Sequence, residues 1–151
     1  MRQMGFAYPE IMALAPSLKV LAVDDDPLML RVLSRTLRGR GVDLVTSLRS
    51  MGVLNLISMH RPALVLMDVK MPGLEGTSLV RLIREDADLA ATPIVLHSAL
   101  ADDVLASKAR ECGADGYILK SRGVTYLEQS IDRWLRRTTP ARAAAAARAA
   151  H

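Results

Sequence analysis

The hydrophobic positions of this chain fall into five short runs, and a polar or charged residue ends most of them abruptly. Apolar runs of this length without polar alternation are typical of strands buried on both faces of a parallel sheet. We therefore predict five strands. They cover residues 18–23, 43–46, 63–67, 94–98 and 116–119.

Between the runs, apolar residues recur at the spacing of an amphipathic helix. Asp26 followed by Pro27 predicts a capped helix start, and Gly39 or Gly41 is expected to end that first helix. The remaining helices are predicted over residues 51–60, 76–86, 102–112 and 124–137.

Two details of these helices can be checked against coordinates. In the third helix, Leu79, Leu82 and Ile83 are expected to face inward. The fourth helix is expected to be capped by Asp102 or Asp103, because an aspartate at that position can accept hydrogen bonds from the first turn.

The alternation of strands and helices predicts an α/β domain, with a parallel sheet covered by helices on both faces. We assign this domain to residues 18–137. Residues 1–17 are interpreted as an N-terminal extension, with Met4 or Met12 as alternative starts. Residues 138–151 form an alanine- and arginine-rich tail without a hydrophobic stripe, which we predict to be flexible.

Composition narrows the class of protein but does not name it. A formal net charge of +4 over 151 residues is too small to indicate a nucleic-acid-binding domain, and no apolar run approaches a membrane span. The single cysteine, Cys112, permits no internal disulfide and suits the cytoplasm. Both Cys112 and His97 are interpreted as buried packing residues.

Chemistry-bearing side chains follow four of the predicted strands. Asp24 and Asp25 follow the first strand, Asp68 the third, Ser98 ends the fourth and Lys120 follows the fifth. If the strand order is 2-1-3-4-5, these side chains meet at one edge of the sheet. Three carboxylates so close repel unless a cation joins them, and oxygen ligands favour Mg²⁺. With a lysine and a hydroxyl nearby, the set describes a site for a phosphoryl group.

Four motifs over residues 18–137 together resemble the receiver domain of two-component response regulators. They are LAVDDDP, LVLMDVKMPG, IVLHSA and GADGYILKS. The resemblance implies a flavodoxin-like (βα)5 sandwich with strand order 2-1-3-4-5. It also implies a phosphorylation switch rather than an enzyme that turns over an external substrate.

The resemblance implies a role for each residue of the acidic set. Asp68 would accept the phosphoryl group from a phosphohistidine on a histidine kinase or phosphotransfer protein. Asp25, helped by Asp24, would hold Mg²⁺ together with Asp68 and the backbone carbonyl of Lys70.

The same resemblance implies how the switch responds. Lys120 would pair with the phosphoryl oxygens, Ser98 would swing toward them and Tyr117 would follow inward. The chain departs from the family at Ser121, where proline usually follows the lysine, often after a cis bond. Because a cis bond before serine costs about 3 kcal/mol, we expect the Lys120–Ser121 bond to be trans or strained.

No effector segment is recognisable in the sequence, so we expect a stand-alone receiver, monomeric or weakly dimeric, that signals through a downstream protein. Its partner face would comprise the fourth helix, the fifth strand and the fifth helix. On that face we favour Asp103, Arg110, Tyr117, Tyr126 and Arg133.

Three other interpretations remain open. The chain could be a non-phosphorylated pseudo-receiver that serves as a docking module, an interpretation that Ser121 keeps open. The tail could contact nucleic acid or membrane, although two arginines, Arg142 and Arg148, would give only a weak salt dependence. A true phosphatase is the least favoured, because no second catalytic acid follows an aspartate nucleophile at short spacing.

Overall fold

The computed structural model describes the backbone of residues 18–149 and the side chains of residues 18–138. The predictions for residues 1–17, including the alternative starts at Met4 and Met12, lie outside the described residues.

A single parallel sheet carries the fold, and its strand order is β2-β1-β3-β4-β5. The predicted flavodoxin-like architecture is confirmed. Strand β1 lies between β2 and β3, so the point where the order reverses falls between the strands that lead to Asp24 and Asp68. The strands are β1 (Leu18–Val23), β2 (Val42–Ser47), β3 (Leu64–Met67), β4 (Ile94–Ser98) and β5 (Gly116–Leu119).

Helices connect successive strands, and a short 3₁₀ turn (Lys120–Arg122) separates the last strand from the last helix. The first helix begins as predicted, with Pro27 at its start and the Asp26 side chain accepting a hydrogen bond from the Leu28 backbone N–H at 2.9 Å. The helices are α1 (Pro27–Leu37), α2 (Val53–His60), α3 (Gly76–Glu85), α4 (Asp102–Cys112) and α5 (Gly123–Ala149).

The core consists of two apolar layers, one on each face of the sheet. One layer packs the sheet against α2, α3 and α4, and its helical members include Ile57, Leu79, Ile83, Leu105 and Cys112. The other packs it against α1 and α5 through Leu30, Leu33, Leu37, Leu127, Ile131 and Leu135. Cys112 is buried and unpaired, as the sequence predicted.

Three helix details differ from the predictions. Helix α1 ends at Leu37 with Arg38 as its C-cap, before the predicted Gly39 or Gly41. Leu82 is 45% exposed, and Val80 is buried in its place beside Leu79 and Ile83. Leu82 lies about 100° around the helix from Ile83, which turns it away from the sheet. Helix α4 is capped by Ala101 without a side-chain hydrogen bond. The expected caps, Asp102 and Asp103, lie in the first turn, where their charge still complements the helix dipole.

The last helix continues past Arg137, its predicted end, to Ala149. Alanine has the highest helix propensity, so an alanine-rich segment can extend a helix that packing has already nucleated. The prediction of a flexible tail concerns motion and stays a prediction. Within the described residues, no helix is both long enough and apolar enough to cross a bilayer.

Candidate functional site

Three aspartates converge at the carboxyl edge of the sheet. Asp24 and Asp25 follow β1 and Asp68 follows β3, and one carboxylate oxygen from each lies within 4.8 Å of the other two. The backbone holds this arrangement, because the Asp68 N–H donates to the Val23 carbonyl at 2.9 Å. Asp24 and Asp68 are only 2% and 6% exposed, whereas Asp25 is open to solvent.

Lys120 brings the only described cation that pairs with this acidic group. Its Nζ lies 2.8 Å from Asp24 Oδ2 and 3.4 Å from Asp68 Oδ1. The lysine is the first residue of the 3₁₀ turn that follows β5, so the end of the strand directs it across the sheet edge. The described chain contains no cis peptide bond, so the Lys120–Ser121 bond is trans, as expected from Ser121.

The pKa of the Asp68 carboxyl is shifted by burial and by the charged groups around it. Burial raises the pKa of Asp68 from 3.8 to about 6. Lys120 opposes the rise, while Asp24 and Asp25 add to it through charge repulsion. One lysine therefore does not neutralise the site, and a further cation would favour the ionised form of Asp68.

The donor set fits a hard divalent cation. All three ligands are carboxylate oxygens, which Mg²⁺ prefers to nitrogen or sulfur. Asp24 Oδ1 accepts a hydrogen bond from the Asp26 N–H at 3.0 Å. Asp24 Oδ2 is buried and contacts Lys120, yet it accepts no well-formed hydrogen bond within the described part of the chain. That oxygen retains lone-pair capacity for a cation.

A pocket of about 220 Å³ opens beside Asp68. Its lining includes Lys70, Ser98, Leu100 and Lys120. Ser98 is 2% exposed, and its Oγ accepts a hydrogen bond from the Leu100 N–H at 3.2 Å, so the hydroxyl hydrogen stays available for a ligand. The structure therefore brings Ser98 and Lys70 to the same edge as the acidic group.

The Tyr117 side chain does not line the pocket beside Asp68. Its hydroxyl donates a hydrogen bond to Asp102 Oδ1 at 2.6 Å, on the outer surface where β5 meets α4. The Asp102 carboxylate raises the pKa of the Tyr117 hydroxyl, because that hydrogen bond is lost on ionisation. Tyr117 is not among the pocket-lining residues in this structure.

Asp102 and Arg122 were missed by the sequence predictions as interacting residues. Arg122 Nη2 lies 3.8 Å from Asp102 Oδ2, and its guanidinium stacks over the Tyr126 ring at 5.2 Å. With the Tyr117 hydrogen bond, these contacts join α4, β5 and α5 to the turn that begins at Lys120. No sequence spacing indicates such a network, because its members come from four separate elements.

The other favoured partner residues lie on α4 and α5. Asp103 and Arg110 are exposed on α4, and Arg133 is exposed on α5. Tyr126 is half-buried, because its ring packs against both apolar layers. Their role in partner binding stays a prediction.

Sequence comparison identifies the family. The model of the response regulator receiver domain matches residues 20–132, most of the described chain. The chain belongs to this family. Relatives and solved structures agree with the assignment.

Among curated relatives, the DNA-binding response regulator MtrA of Mycolicibacterium smegmatis is 36% identical over 102 residues, which cover 68% of this chain and 43% of MtrA. The probable transcriptional regulator ycf27 of Guillardia theta is 36% identical over 123 residues, covering 82% of this chain and 47% of ycf27. This receiver chain thus spans about half the length of the curated relatives it matches.

Solved receiver structures superpose on nearly their full length. The BeF3-activated N-terminal receiver domain of Klebsiella pneumoniae RstA has a TM-score of 0.70 at 31% identity, covering 78% of this chain and 98% of that one. The chemotaxis protein CheY4 of Vibrio cholerae has a TM-score of 0.69 at 26% identity, covering 77% and 97%. This receiver therefore has the fold of chemotaxis and regulatory receivers alike.

Proposed function

We propose that this receiver accepts a phosphoryl group on Asp68 from a phosphohistidine of a histidine kinase or phosphotransfer protein. The observation that carries the proposal is the geometry of Asp68. Its carboxylate is buried at the mouth of the pocket, lies 3.4 Å from the Lys120 ammonium and shares a cluster with Asp24 and Asp25.

The reaction would be a single displacement at phosphorus. An Asp68 carboxylate oxygen forms a bond to phosphorus as the bond between phosphorus and the donor imidazole nitrogen breaks. The electron pair of that bond stays on the imidazole nitrogen, which takes a proton from solvent. Lys120 and the Ser98 hydroxyl, which both line the pocket beside Asp68, would donate to the new phosphoryl oxygens. Attack by water at phosphorus would later release phosphate and restore the carboxylate.

The acidic group would hold Mg²⁺ through Asp24, Asp25 and Asp68, with the Lys70 carbonyl as the further ligand implied by the family. Bound there, Mg²⁺ would neutralise charge on the carboxylates and on the transferring phosphoryl oxygens. The buried Asp24 Oδ2 without a well-formed hydrogen bond supports this assignment. Beyond this self-catalysed transfer and the hydrolysis of the resulting acyl phosphate, we propose no enzymatic activity.

Output would pass through the face formed by α4, β5 and α5. The contacts of Asp102 with Tyr117 and Arg122 support this, since they tie that face to the turn that begins at Lys120. A shift of Lys120 toward a phosphorylated Asp68 would move the turn and so disturb these contacts. Inward movement of Tyr117 would require its hydrogen bond to Asp102 to break.

Mass spectrometry of the intact protein tests the transfer. After incubation with acetyl phosphate and Mg²⁺, we expect the mass of one phosphoryl group on the wild type and none on Asp68→Asn. Asp26→Asn is the matched control, because asparagine still caps α1 and the residue lies outside the acidic group. An unmodified wild type would instead favour the docking-module alternative.

A binding experiment tests the output face. A downstream protein should be retained more strongly by beryllofluoride-treated receiver than by untreated receiver, and Arg110→Ala on α4 should weaken that difference. Arg35→Ala, also exposed but on α1, should leave the difference unchanged.

Three broader predictions stay with this proposal. We propose that the protein acts in the cytoplasm, is monomeric or weakly dimeric, and makes no nucleic-acid contact through the receiver itself. Some relatives are named as DNA-binding regulators, but this chain matches less than half of MtrA. Whether the receiver acts without an effector domain stays a prediction.

A further inference from the structure

Helix α3 begins in direct contact with the backbone of the proposed phosphoacceptor. A Cβ built on Gly76, the first residue of the helix, would lie 1.8 Å from the Asp68 carbonyl oxygen and 2.9 Å from its carbonyl carbon. Real Cβ atoms essentially never come within 3.0 Å of a non-bonded heavy atom of a distant residue. Any side chain at this position would therefore push the Asp68 peptide and the helix apart by about 1.2 Å, the difference between 3.0 and 1.8 Å.

The requirement at Gly76 is for space and not for an unusual backbone angle. The positive-φ glycines include Gly73 in the same loop, but Gly76 is not among them. Its N–H donates a hydrogen bond to the Val69 carbonyl at 2.9 Å. Gly76 therefore contacts the start of the loop twice, at the Asp68 carbonyl and at the Val69 carbonyl.

The part of the loop next to Asp68 is packed tightly, whereas residues 72–75 are exposed. Val69 and Met71 are 0% and 6% exposed and pack into the apolar layer with α3, while Lys70 between them faces solvent. Interiors at close-packed density transmit such a shift instead of relaxing around it. The peptide that would move is the one that sets the position of the Asp68 carboxylate.

We propose that Gly76 is a positioning residue for phosphoryl acceptance, and that its missing side chain lets α3 hold the Asp68 backbone in register with Asp24, Asp25 and Lys120. This inference rests on the proposed function of Asp68. When the reacting groups are misplaced by about 1 Å, the reaction rate can fall about 100-fold. When the groups that orient metal ligands are disturbed, metal affinity typically falls about 10- to 100-fold.

The test compares Gly76→Ala with Gly116→Ala. A Cβ on Gly116 would also clash, at 2.4 Å from the Trp134 ring, but Gly116 starts β5, roughly 13 Å along the strand from Lys120. Gly76→Ala should lose more stability in urea than Gly116→Ala, because its Cβ meets backbone atoms whereas the Cβ of Gly116→Ala meets the outer atoms of the Trp134 side chain. Only Gly76→Ala should weaken Mg²⁺ binding measured by calorimetry, about 10-fold or more, and slow acyl-phosphate formation from acetyl phosphate about 100-fold.

A second readout needs no metal. In amide NMR spectra of the metal-free protein, Gly76→Ala should shift the Asp68 and Val69 resonances more than Gly116→Ala does. Wild-type Mg²⁺ affinity and acyl-phosphate rate in a folded Gly76→Ala would overturn the inference. A wild type that forms no acyl phosphate would instead overturn the proposed function, so the two failures are distinguishable.

If Gly76→Ala does not fold, a second pair of less disruptive substitutions tests the same inference. Val69→Ala removes a buried anchor of the loop next to Asp68, whereas Val95→Ala removes an equally buried side chain from the opposite apolar layer. We expect Val69→Ala to bind Mg²⁺ more weakly than Val95→Ala. Equal affinities would show that the position of the loop does not govern the site, and the inference would fail.

Discussion

The Lys120 ammonium lies closer to Asp24 than to Asp68, at 2.8 Å against 3.4 Å. The lysine thus pairs mainly with a proposed metal ligand while the proposed acceptor is unmodified. A phosphoryl group on Asp68 would offer a second, more highly charged partner for the same ammonium. Competition between these two partners is the physical basis of the switch that we propose.

Removing the Lys120 ammonium should lower the stability of the protein, because the buried aspartates would lose their cation. We expect Lys120→Met to destabilise the metal-free protein by about 3 kcal/mol in urea, because Asp24 and Asp68 lose their cation while staying buried. Millimolar Mg²⁺ should restore part of the loss. Lys108→Met, on α4 and without an ion pair among the described residues, should change stability by less than about 0.5 kcal/mol. Equal losses in both variants would contradict the assignment.

Asp68→Asn should stabilise the metal-free protein near neutral pH. Burial raises the pKa of Asp68 in the folded protein to about 6, above its ordinary value of 3.8, so the ionised carboxyl is disfavoured by folding. Above both values the substitution should gain up to about 3 kcal/mol in urea unfolding, and the gain should disappear as the pH falls from about 6 to about 4. With Mg²⁺ present the order should reverse, since the wild type keeps all three carboxylates and gains more stability from the metal than the variant.

His97 should make stability depend on pH in the opposite direction. Burial, aided by the charge of Lys120, lowers its pKa from 6.5 to about 4. Below about pH 6.5, His97 is protonated in the unfolded chain but stays neutral in the folded protein. The free energy of unfolding therefore falls as the pH is lowered, until His97 is also protonated in the folded protein at about pH 4. His97→Leu should remove up to about 3 kcal/mol of this dependence in urea titrations. His60→Gln, half-buried beside Lys19, is the control and should preserve the dependence.

Tyr117 should report on its contact with Asp102. Because the carboxylate accepts a hydrogen bond from the Tyr117 hydroxyl, it raises the pKa of that hydroxyl. In ultraviolet titrations made on a background in which the other two tyrosines, Tyr8 and Tyr126, are replaced by phenylalanine, Asp102→Asn should ionise Tyr117 at lower pH. Asp103→Asn, the neighbouring residue on α4, should leave the titration unchanged. The same result with both variants would show that the contact is absent in solution.

Much of the fold could be predicted because strand and helix periodicity are local. The uniform apolarity of β3, where all four residues are buried, already indicates a strand covered on both faces. The cap at Asp26 and Pro27 likewise follows from side-chain and backbone chemistry within a few residues. Leu82 was assigned to the wrong face because α3 is short, and its packing against the sheet decides which stripe turns inward.

Contacts between distant segments could not be predicted from local patterns. Arg84 donates to the carbonyls of Ala90, Thr92 and Gly113 and pairs with Asp115 at 3.0 Å. Its guanidinium thereby joins the loop after α3 to the loop after α4. Nothing in the spacing of these residues indicates the contact, since each pairing depends on how the elements pack.

By itself, the sequence located the residues that we propose to carry the chemistry, because Asp24, Asp25, Asp68, Ser98 and Lys120 each follow or end a strand whose apolar run is readable locally. Only the tertiary structure decided how they share charge, with Lys120 nearer Asp24 than Asp68 and Tyr117 held outward by Asp102. The physical reason is range. Strand ends are set by neighbours along the chain, whereas distances, burial and pKa shifts depend on groups that only packing brings together.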